Sequence, residues 1–592
     1  MCRLALRFSF IAFARAWVRQ QATSIAFQQG GSTYVRSFDA KARDVRSVLD
    51  YIPASQAALV VANTTAGQDP AVIAAGIQAA LDHGATWMPA GTYRVDTPLV
   101  LASNACLIGA GRRRTIIQSD IPGDSLFKTA ASVAFVYLAD LSLRGNGLTG
   151  AEGSGHAIDF IDGNTGDSTY SPQQCVVERL DIRNFLGQGR WRDAGASTVA
   201  ACAVMLYNCL QVELRDVYTS NNGHGVIFDT TQNCRLRNCA CDSSTKYALL
   251  AYKNENLIID SCDLVSAGDG VADPGYPAEA FDWGSGIVLS ARNRGFVLSK
   301  SKMKARVAGL ATIQSHYSYG DRIVENWIRG DAQTDVPHKA IYARSTPGLV
   351  ISRNSFDPAV TPFSATQKYE TIELYETAIY HIFSASITEN TFGEVVGMGT
   401  AYHIKLGGDA NTRTIRPIVE GNIFGGAGAA AGPVTIDTDI LVKDARISTG
   451  RISNNTHVAW TNVTRTAGVT ASNVTLAAMK IGPSLWSPNG GTITASYVGI
   501  SESDLTITSA AFNPPSLAAG ASTAIQTTTV VGAALGDTVW ASWSASLSGA
   551  VIQAWVSAAD TVSWFIQNQN GANPLDLASG TATFRVKKAW AA

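Results

Sequence analysis

One glycine-rich stretch of the chain concentrates carboxylates and aromatic rings. Residues 267–285 read AGDGVADPGYPAEAFDWGS, and the side chains of interest there are Asp269, Asp273, Tyr276, Glu279, Phe281, Asp282 and Trp283. Hydrolysis of a glycosidic bond requires one protonated and one ionised carboxyl group, roughly 5 Å apart for retention and about 6.5–9.5 Å apart for inversion. A neighbouring ring can raise a carboxyl pKa by excluding water, as the acid requires. We therefore predict Asp282 and Glu279 as the first catalytic candidates.

A second stretch with complementary chemistry lies upstream. Residues 183–202 read RNFLGQGRWRDAGASTVAAC, in which an indole ring stands between guanidinium groups. Aromatic faces pack against the C–H surface of sugars, and guanidinium forks bind carboxylates and hydroxyls. The predicted substrate-binding side chains are Trp191, Arg192, His224, Tyr252, Asp269, Asp273, Tyr276 and Trp283. Asp229 is the predicted second catalytic carboxylate, but acidic surface residues are ordinarily only solvated, so the prediction depends on how the chain brings these groups together.

A recurring hexad indicates how the chain positions them. Residues 323–328 (IVENWI), 351–356 (ISRNSF) and 387–392 (ITENTF) share an aliphatic first place, an asparagine at the fourth place and an apolar sixth place. Related hexads begin at Leu138, Val177, Leu214, Leu236, Ile259, Leu298, Val419 and Ile452. The starts lie 22 to 39 residues apart, and the segments alternate with period two and are rich in Val, Ile and Thr. This pattern is typical of short strands in a repeat protein with loops inserted into some coils.

The fourth place of the hexad predicts a ladder of polar side chains. Its occupants are Asn326, Asn354, Asn390, Asn422 and Asn455 in the later coils and Cys239, Cys262 and Ser301 in the earlier ones. In parallel coils stacked about 4.8 Å apart, each amide can bond to the backbone or to its neighbour and satisfy a buried turn. We therefore interpret the hexad as one corner of a parallel β-helix.

The hexad spacing also predicts a groove. The coils that start at Leu214 and Leu236 are short, at 22 and 23 residues, and they are flanked by coils of 37 and 39 residues. The extra residues fall at 183–202 and 264–285. Because both insertions follow the same hexad, we expect them to project from the same side as two walls. The floor between them is predicted to carry His224, Asp229, Tyr252 and Lys253.

The start of the solenoid carries a more specific signature. Residues 71–82 have helical spacing and end at a His-Gly pair suited to a C-cap. IQAALDHGATWMPAGTYRV at 77–95 and LIGAG at 107–111 resemble the start of pectate-lyase-like right-handed β-helix proteins, especially tailspike depolymerases of tailed bacteriophages. The resemblance covers roughly residues 55–465, although NTTAGQDP at 63–70 stands where the family usually has an acidic GDG…DDT stretch. It implies a mainly β chain, with a right-handed parallel β-helix, an N-terminal capping helix and a C-terminal β-sandwich-like domain.

The other segments complete the predicted organisation. Residues 1–55 are the N-terminal virion-anchoring segment, 56–465 the substrate-binding and catalytic β-helix, and 466–592 a strand-rich region. Within that region a β-sandwich is predicted from about residue 505, for trimerisation or for receptor or glycan binding. The resemblance implies a homotrimer in the virion tail, with a phage tail, baseplate or adaptor protein bound to the N-terminus. A secreted bacterial protein is the alternative, although Arg7 and Arg15 interrupt the apolar N-terminal run.

Bulk composition narrows the class of partners. The chain has 592 residues and a formal net charge of -1, with 16% charged residues. This balance gives no reason to expect nucleic acid as a partner. The first twenty residues are too charged to span a bilayer, so we predict no membrane insertion. The nine cysteines lack zinc-finger spacing, and we interpret them as reduced apolar fillers, with no metal or other cofactor predicted.

The resemblance and the predicted groove together imply a tailspike that recognises and depolymerises a bacterial surface polysaccharide (O-antigen, capsule or exopolysaccharide) by glycosidic hydrolysis during host adsorption. A polysaccharide lyase is one alternative. It needs an acidic substrate, a base of lowered pKa and often calcium, and GDGVADPG does not match a calcium loop. A non-catalytic receptor-binding fibre or spike is another. NNGHGVIF at 221–228 is similar to the Gly-His-Gly of polygalacturonases, but without that family's paired aspartates it is interpreted as a glycine-rich turn.

Overall fold

In the computed structural model the chain is built mainly of short β-strands. The structure describes residues 26–28, 35–37, 46–130, 132–161, 172–190, 198–266, 287–305, 311–330, 339–358, 370–376, 382–393, 402–408, 414–425, 434–448, 451–460, 463–477, 480–481, 485–489, 492–493 and 506–587. They form two units, Met1–Glu373 with Gly393–Gly399 and Leu374–Phe392 with Thr400–Ala592. None of the helices in the described ranges is long and apolar enough to cross a bilayer.

The first unit is a right-handed parallel β-helix with three stacks of strands, named here faces 1, 2 and 3. Face 1 comprises Leu99–Leu101, Phe127–Thr129, Ile158–Ile161, Cys202–Tyr207, His224–Asp229, Leu249–Tyr252, Val288–Ala291, Ala311–His316, Lys339–Arg344 and, of the strand Glu370–Glu376, residues 370–373. Face 2 comprises Arg46–Ser47, Ala85–Met88, Cys106–Gly109, Tyr137–Ala139, Val176–Glu178, Glu213–Arg215, Arg235–Arg237, Ile258–Asp260, Val297–Ser299, Arg322–Val324 and Leu349–Ser352. Face 3 comprises Gly91–Val95, Thr115–Ser119, Ser142–Arg144, Asp181–Arg183, Tyr218–Ser220, Ala240–Ser244, Asp263–Ser266, Lys302–Ala305, Trp327–Gly330 and Ser355–Pro358.

The first place of the hexad supplies an inward stack on face 2. Leu214, Leu236, Ile259, Leu298 and Ile323 lie in register in successive coils and are buried. Their neighbours on each strand alternate towards solvent, because successive side chains of a strand point to opposite sides. The β-helix predicted from the hexad is confirmed.

The predicted asparagine ladder forms at the corner between face 2 and face 3. Asn354 Oδ1 accepts the Asn326 backbone N–H at 2.9 Å, and Asn354 Nδ2 donates to the Ile323 carbonyl at 2.8 Å. In the second unit, Asn422 and Asn455 repeat the arrangement, since Asn455 Oδ1 accepts the Asn422 N–H at 3.0 Å. Each amide therefore satisfies buried backbone groups that the turn leaves without strand partners.

A second polar ladder lies at the corner between face 1 and face 2. The Thr231 N–H donates to Asn254 Oδ1 at 2.8 Å, the Asn254 N–H to Asn293 Oδ1 at 2.7 Å, and the Asn293 N–H to Ser318 Oγ at 3.1 Å. The residue before each of these four has a left-handed backbone, with φ between 52° and 55°. The hexad did not predict this ladder, because its members differ in type and no fixed residue precedes them.

The helix that covers the first coil is the one predicted. It spans Pro70–Asp82, and Asp69 caps it by accepting the backbone N–H groups of the first turn. Gly84 follows with φ 103°, the left-handed conformation that ends many helices. A 3₁₀ turn at Val48–Asp50 and a further helix at Ala54–Val61 precede it.

Two glutamine amides near this helix bond to edge strands of the first coil. Gln78 accepts the Val100 N–H at 2.7 Å and donates to the Val100 carbonyl at 3.0 Å. Gln68 accepts the Arg94 N–H at 3.1 Å and donates to the Thr92 carbonyl at 2.8 Å. Both amides thus supply the donor and the acceptor that a neighbouring strand would supply.

The cysteines of the described chain are structural. All eight are buried and free, which confirms the interpretation as reduced fillers. Cys239 and Cys262 take the corner position that asparagine takes in later coils, and their thiols donate weakly to the Leu214 and Leu236 carbonyls. Burial raises the pKa of Cys239 well above its ordinary value, so the thiol form persists.

The second unit contains further parallel coils and an antiparallel sandwich. Its parallel strands are Ile382–Thr388, Thr391–Phe392, Tyr402–Gly408, Thr414–Glu420, Ile423–Phe424, Val434–Ser448, Arg451–Ser453, Thr456–Trp460, Val463–Ala477, Lys480–Ile481, Leu485–Asn489 and Thr492–Ile493. One antiparallel sheet contains Thr506–Phe512, Thr538–Trp543 and Gly580–Lys587, and the other contains Gln526–Thr529, Ala550–Ala558 and Thr561–Asn568. Trp564 and Phe584 pack in the core between the two sheets, with ring centroids 5.3 Å apart, so the predicted β-sandwich is confirmed.

Candidate functional site

Hydrogen bonds inside the solenoid show which side of face 1 points outward. Ser290 and Ser315 are in register on face 1, and both hydroxyls donate to Asp321 Oδ2, at 2.6 and 2.8 Å. Asp321 lies two residues before the inward Ile323, so it points into the coil as well. The alternate residues of face 1 therefore point outward. Burial raises the pKa of the Asp321 carboxyl to about 7, although the serine hydroxyls lower it.

One column on the outer side of face 1 is apolar and covered. Met205, Ile227, Leu250 and Leu289 lie in register on that side, and each is at most 1% exposed. They form a hydrophobic cluster separate from the interior of the coil. Outward residues of a solenoid reach this degree of burial only when other parts of the chain pack over the coil, so face 1 carries an additional layer.

The first insertion contributes to this layer. Its described ends, Leu186–Arg190 and Thr198–Ala200, form an antiparallel hairpin, and Val199 packs in the same cluster as Met205 and Ile227. A Cβ at Gly189 would lie 2.1 Å from the His156 ring, so the hairpin backbone lies directly against that imidazole. The insertions at 183–202 and 264–285 both join a face 3 strand to a face 1 strand, which is the common side that the spacing predicted.

Two of the predicted site residues are brought together on this surface. Asp229 and Tyr252 are cross-strand partners at the outer end of face 1. Asp229 is fully buried and Tyr252 is 2% exposed. Thr230 Oγ1 donates to Asp229 Oδ1 at 2.9 Å, and Lys253 Nζ lies 5.2 Å from the centroid of the Tyr252 ring. A carboxylate, a tyrosine and a lysine thus meet at one place.

His224 lies elsewhere on the same face. It begins the strand that Asp229 ends, five residues or roughly 16 Å away at the rise of a strand. Its ring is fully buried and stacks on Tyr247 with centroids 6.1 Å apart. Cβ atoms at Gly223 and Gly225 would lie 2.4 and 2.2 Å from carbonyl oxygens of adjacent coils, so the Gly-His-Gly motif is tightly packed. The interpretation of the motif as a turn holds only for Gly223, because His224 and Gly225 belong to the strand itself.

The remaining predicted site residues fall outside the described ranges. They are Trp191, Arg192, Asp269, Asp273, Tyr276, Glu279, Asp282 and Trp283. Their roles stay predictions, as does the pairing of Asp229 with Glu279 or Asp282.

A cysteine, a histidine and an aspartate meet near the start of face 1 without forming a nucleophile. Cys202 Sγ lies 3.0 Å from His156 Nδ1. Burial, and to a lesser extent Asp159, raises the pKa of the Cys202 thiol well above its usual range, which disfavours the thiolate that attack requires. Ser125 Oγ donates to Asp159 Oδ2 at 3.1 Å. Within the described chain, no three His, Cys, Asp or Glu side chains are grouped to hold a metal ion.

Polar residues further along the outer side of face 1 escaped prediction. His316 and Arg344 continue the column of Asp229 and Tyr252. Burial, and secondarily Arg344, lowers the pKa of His316 to about 3, so the imidazole is neutral. Lys339 Nζ lies 4.7 Å from the Tyr342 ring centroid and forms a largely buried ion pair with Glu373. The available signal was the polar residue at every second place of ATIQSH and the tyrosine and arginine that align with its last two, Tyr342 and Arg344 in KAIYAR.

The fold places the chain among right-handed parallel β-helix proteins with a covered outer face. No protein-family model matches the sequence, and no curated protein does. Among solved structures, the chain is similar to the Pseudomonas phage phi297 tailspike gp61, with 12% identity, TM-score 0.48 and coverage of 92% of this chain and 98% of that one. It is also similar to a mutant tailspike of E. coli bacteriophage HK620 in complex with a pentasaccharide, with 10% identity, TM-score 0.48 and coverage of 98% and 100%.

A third similar structure has a different description. PfbA, a surface adhesin of Streptococcus pneumoniae, shares 12% identity with TM-score 0.42, over 74% of this chain and 91% of that chain. Tailspikes, the class that the sequence motifs resemble, are thus among the solved structures to which the chain is similar, and an adhesin is as well. At these identities the likeness concerns the fold, and function must be argued from the site.

Proposed function

We propose that this chain is a phage tailspike that binds a bacterial surface polysaccharide and cleaves it by glycosidic hydrolysis. The observation that carries the proposal is the outer side of face 1. The outward residues of this surface are buried, and among them a carboxylate and a tyrosine, Asp229 and Tyr252, lie side by side. Both insertions connect to strands of this face. The motifs at 77–95 and 107–111, which resemble tailspike depolymerases, add to this support.

The chemistry assigned to the residues follows from the need for two carboxyl groups. Asp282 or Glu279 is proposed to act as the acid that protonates the glycosidic oxygen. Asp229 is proposed as the ionised partner, which either activates a water molecule or attacks the anomeric carbon. The hydroxyl of Thr230 donates a hydrogen bond to Asp229 Oδ1 at 2.9 Å, which fixes the orientation of that carboxyl group.

The wider assignment belongs to the same proposal. The chain is proposed to act as a homotrimer in the virion tail, with residues 1–55 docked on a tail, baseplate or adaptor protein. The β-sandwich at 506–587 is proposed to hold the chains together or to bind a receptor glycan. Light scattering of the purified full chain measures the first of these directly, since three copies are expected and a monomer would contradict the assembly.

The test of the reaction is product release from purified O-antigens, capsules and exopolysaccharides. Reducing ends are measured together with absorbance near 235 nm, which reports the double bond formed by β-elimination. New reducing ends without absorbance are expected. If absorbance rises in proportion to the number of new reducing ends, the reaction is β-elimination and the proposed hydrolysis is wrong. If the polysaccharide is bound but neither signal appears, the chain is a receptor-binding spike without catalytic activity.

Three isosteric variants connect the reaction to the residues. Asp282→Asn, Glu279→Gln and Asp229→Asn are each expected to reduce cleavage while the protein remains folded. Glu213→Gln is the matched control, because Glu213 lies on face 2 and its ion pair with Arg237 is long, at 3.9 Å. Equal losses in the control and in the three variants would contradict the assignment of the site.

A further inference from the structure

One sheet of the β-sandwich contains no charged residue. Its described strands Gln526–Thr529, Ala550–Ala558 and Thr561–Asn568 read QTTT, AVIQAWVSA and TVSWFIQN. The other sheet carries the exposed Arg585 on its central strand. Charged side chains are the usual occupants of a protein surface, so the sheet without them, named here the uncharged sheet, indicates a surface with a further use.

The alternation of side chains identifies the outer side of the uncharged sheet. Trp564 and Ile566 lie in the sandwich core. The residues that alternate with them, Ser563 and Phe565, therefore point outward. Trp555 is the cross-strand partner of Ser563, so it lies on the same outer side, where it is 39% exposed.

The two aromatic rings on this outer side pack against one another. The ring centroids of Trp555 and Phe565 are 6.0 Å apart and the ring planes meet at 70°, an edge-to-face arrangement. This contact restricts the rotamers of the indole before any ligand binds, so less side-chain entropy is lost when a ligand stacks on it. The exposed part of the indole is thus a preorganised apolar surface.

Neutral hydrogen-bonding groups surround the rings. Gln553 and Ser557 flank Trp555 at every second place of its strand, and both are exposed. Thr527, on the other edge strand, is exposed as well. The strand register shifts at Ser557, and its hydroxyl accepts a hydrogen bond from Ser563 Oγ at 2.7 Å. Amides and hydroxyls both donate and accept hydrogen bonds, which is what the hydroxyl groups of a sugar require.

The size of the outer side favours a sugar over a second copy of the chain. Three strands about 4.8 Å apart, with about 3.3 Å per residue along a strand of eight residues, give a surface of about 370 Å². A stable interface between chains buries about 800 Å² on each partner. The exposed apolar residues Ile525 and Val531 lie just beyond the two ends of Gln526–Thr529, so they enlarge this surface only at its margin.

We propose that the outer side of the uncharged sheet is a glycan-binding site for neutral sugar residues. Trp555 stacks against the C–H faces of the sugar, and Gln553, Ser557 and Thr527 bond to its hydroxyls. Neutral sugars match the absence of charge, because a carboxylate on this surface would lose water without gaining a cationic partner. The ligand class rests on the proposed function, in which the chain binds a polysaccharide. The site belongs to the second unit, whereas the catalytic candidate Asp229 belongs to the first.

The test measures the binding of the full chain to neutral polysaccharides by calorimetry. The probes are dextran, mannan, laminarin and the uncharged members of the panel used for product release, each beside its carboxymethylated form. At least one neutral probe is expected to bind, and its carboxymethylated form to bind at least about fivefold more weakly, because carboxylates are poorly accommodated on an uncharged surface. Binding of none of the neutral probes, or tighter binding of the carboxymethylated forms, would overturn the site.

Matched variants locate the binding on the uncharged sheet. Trp555→Ala is expected to weaken binding at least about tenfold, because the stacking surface is lost, and Trp555→Phe, which keeps a ring, is expected to lose less. Trp540→Ala is the control, since Trp540 is 50% exposed but lies on the other sheet as the partner of Arg585, and it should bind as the parent does. Equal binding by the Trp555→Ala variant and the parent, or equal losses in Trp555→Ala and Trp540→Ala, would contradict the proposal.

Two further measurements separate this site from the other proposals. Light scattering follows the Trp555→Ala variant, and dissociation of an oligomer that the parent forms would make the uncharged sheet an interface between copies and overturn the glycan site. Reducing-end release is measured on the same samples. Binding of neutral sugars through Trp555 without any cleavage would sustain the site and overturn the proposed hydrolysis, whereas cleavage without such binding would do the reverse.

Discussion

Face 1 and face 2 are built from the same coils, yet their outer sides differ in chemistry and burial. In the coils from Cys202 to His316, outward residues of face 1 such as Ile227 and Leu250 are as buried as the interior. In the same coils the outward residues of face 2 alternate with the buried ones, and Arg235 and Arg237 are exposed. A β-helix needs only its interior to be apolar. The second apolar layer on face 1 therefore marks the surface on which the chain has built something beyond the scaffold.

The largest effect expected from this contrast is on catalysis. Asp229→Asn on face 1 should reduce the rate of polysaccharide cleavage at least about a hundredfold, because general acid–base groups commonly contribute factors of 10² to 10⁴. Glu213→Gln on face 2 should leave the rate within about twofold. Initial rates of reducing-end release measure both. An Asp229→Asn variant that retains full activity would remove Asp229 from the mechanism.

The second prediction concerns stability. Leu250→Ala on the outer side of face 1 should lower the free energy of unfolding by about 2–5 kcal/mol, as a truncation in a core does. Ile258→Ala on the outer side of face 2, where the side chain is half-buried, should cost about 1 kcal/mol or less. Denaturant unfolding of the two variants beside the parent compares them. Equal costs would mean that the covering layer contributes no packing.

The third prediction concerns the asparagine ladder at the corner between face 2 and face 3, where stability should depend on hydrogen bonds and not on the covering of face 1. Asn354→Ala removes the acceptor of the Asn326 N–H and the donor to the Ile323 carbonyl, leaving two buried backbone groups unsatisfied. The expected loss is about 1–3 kcal/mol. Arg353→Ala, one residue earlier and exposed, breaks an ion pair with Glu325 and should cost about 1 kcal/mol or less. The same unfolding assay compares the free energies of unfolding of the two variants. A larger loss for Arg353→Ala than for Asn354→Ala would contradict the role of the ladder.

The smallest effect concerns the interior behind face 1 and depends on pH. The pKa of Asp321 is raised to about 7 in the folded chain, so folding favours the protonated carboxyl. The stability that the protonated Asp321 contributes is present in full below the pKa that this carboxyl has in the unfolded chain, near 4. It is lost as the pH rises through the pKa in the folded chain. Asp321→Asn should therefore unfold at a higher temperature relative to the parent at pH 8 than at pH 5. A difference that is the same at both pH values would show that Asp321 does not titrate there.

The sequence was sufficient for the scaffold because the scaffold repeats. Asn326 and Asn354 occur at one place of a hexad, and that place is a corner where a backbone N–H needs an amide. The capping helix at Pro70–Asp82 carries the usual helix-ending signals. The second ladder was missed because Thr231, Asn254, Asn293 and Ser318 vary in type and follow residues of no fixed kind. Any short polar side chain can accept the same hydrogen bond.

The candidate site was predictable only in part. Insertion lengths placed both walls on one side, and Asp229 and Tyr252 do meet in register. The burial of face 1 was not evident, since a strand that is apolar on both sides loses the alternation that distinguishes inside from outside. His316 and Arg344 were missed for the same reason, because their contacts come from stacking coils 25 or more residues apart in sequence. The roles of Glu279 and Asp282 stay predictions.

The two glutamine amides at the first coil have a consequence for the molecule as a polymer. The coils of a parallel β-helix stack through the same backbone hydrogen bonds from one coil to the next. The first coil therefore presents N–H and C=O groups with which another strand could pair. Gln78 at Val100 and Gln68 at Thr92 and Arg94 occupy those groups with a single amide apiece. Each side-chain amide offers the same donor and acceptor as a peptide unit but is not part of a strand, so no further strand pairs with the backbone groups that it occupies. At these two strands the first coil is therefore protected against edge-to-edge pairing with a strand of another chain.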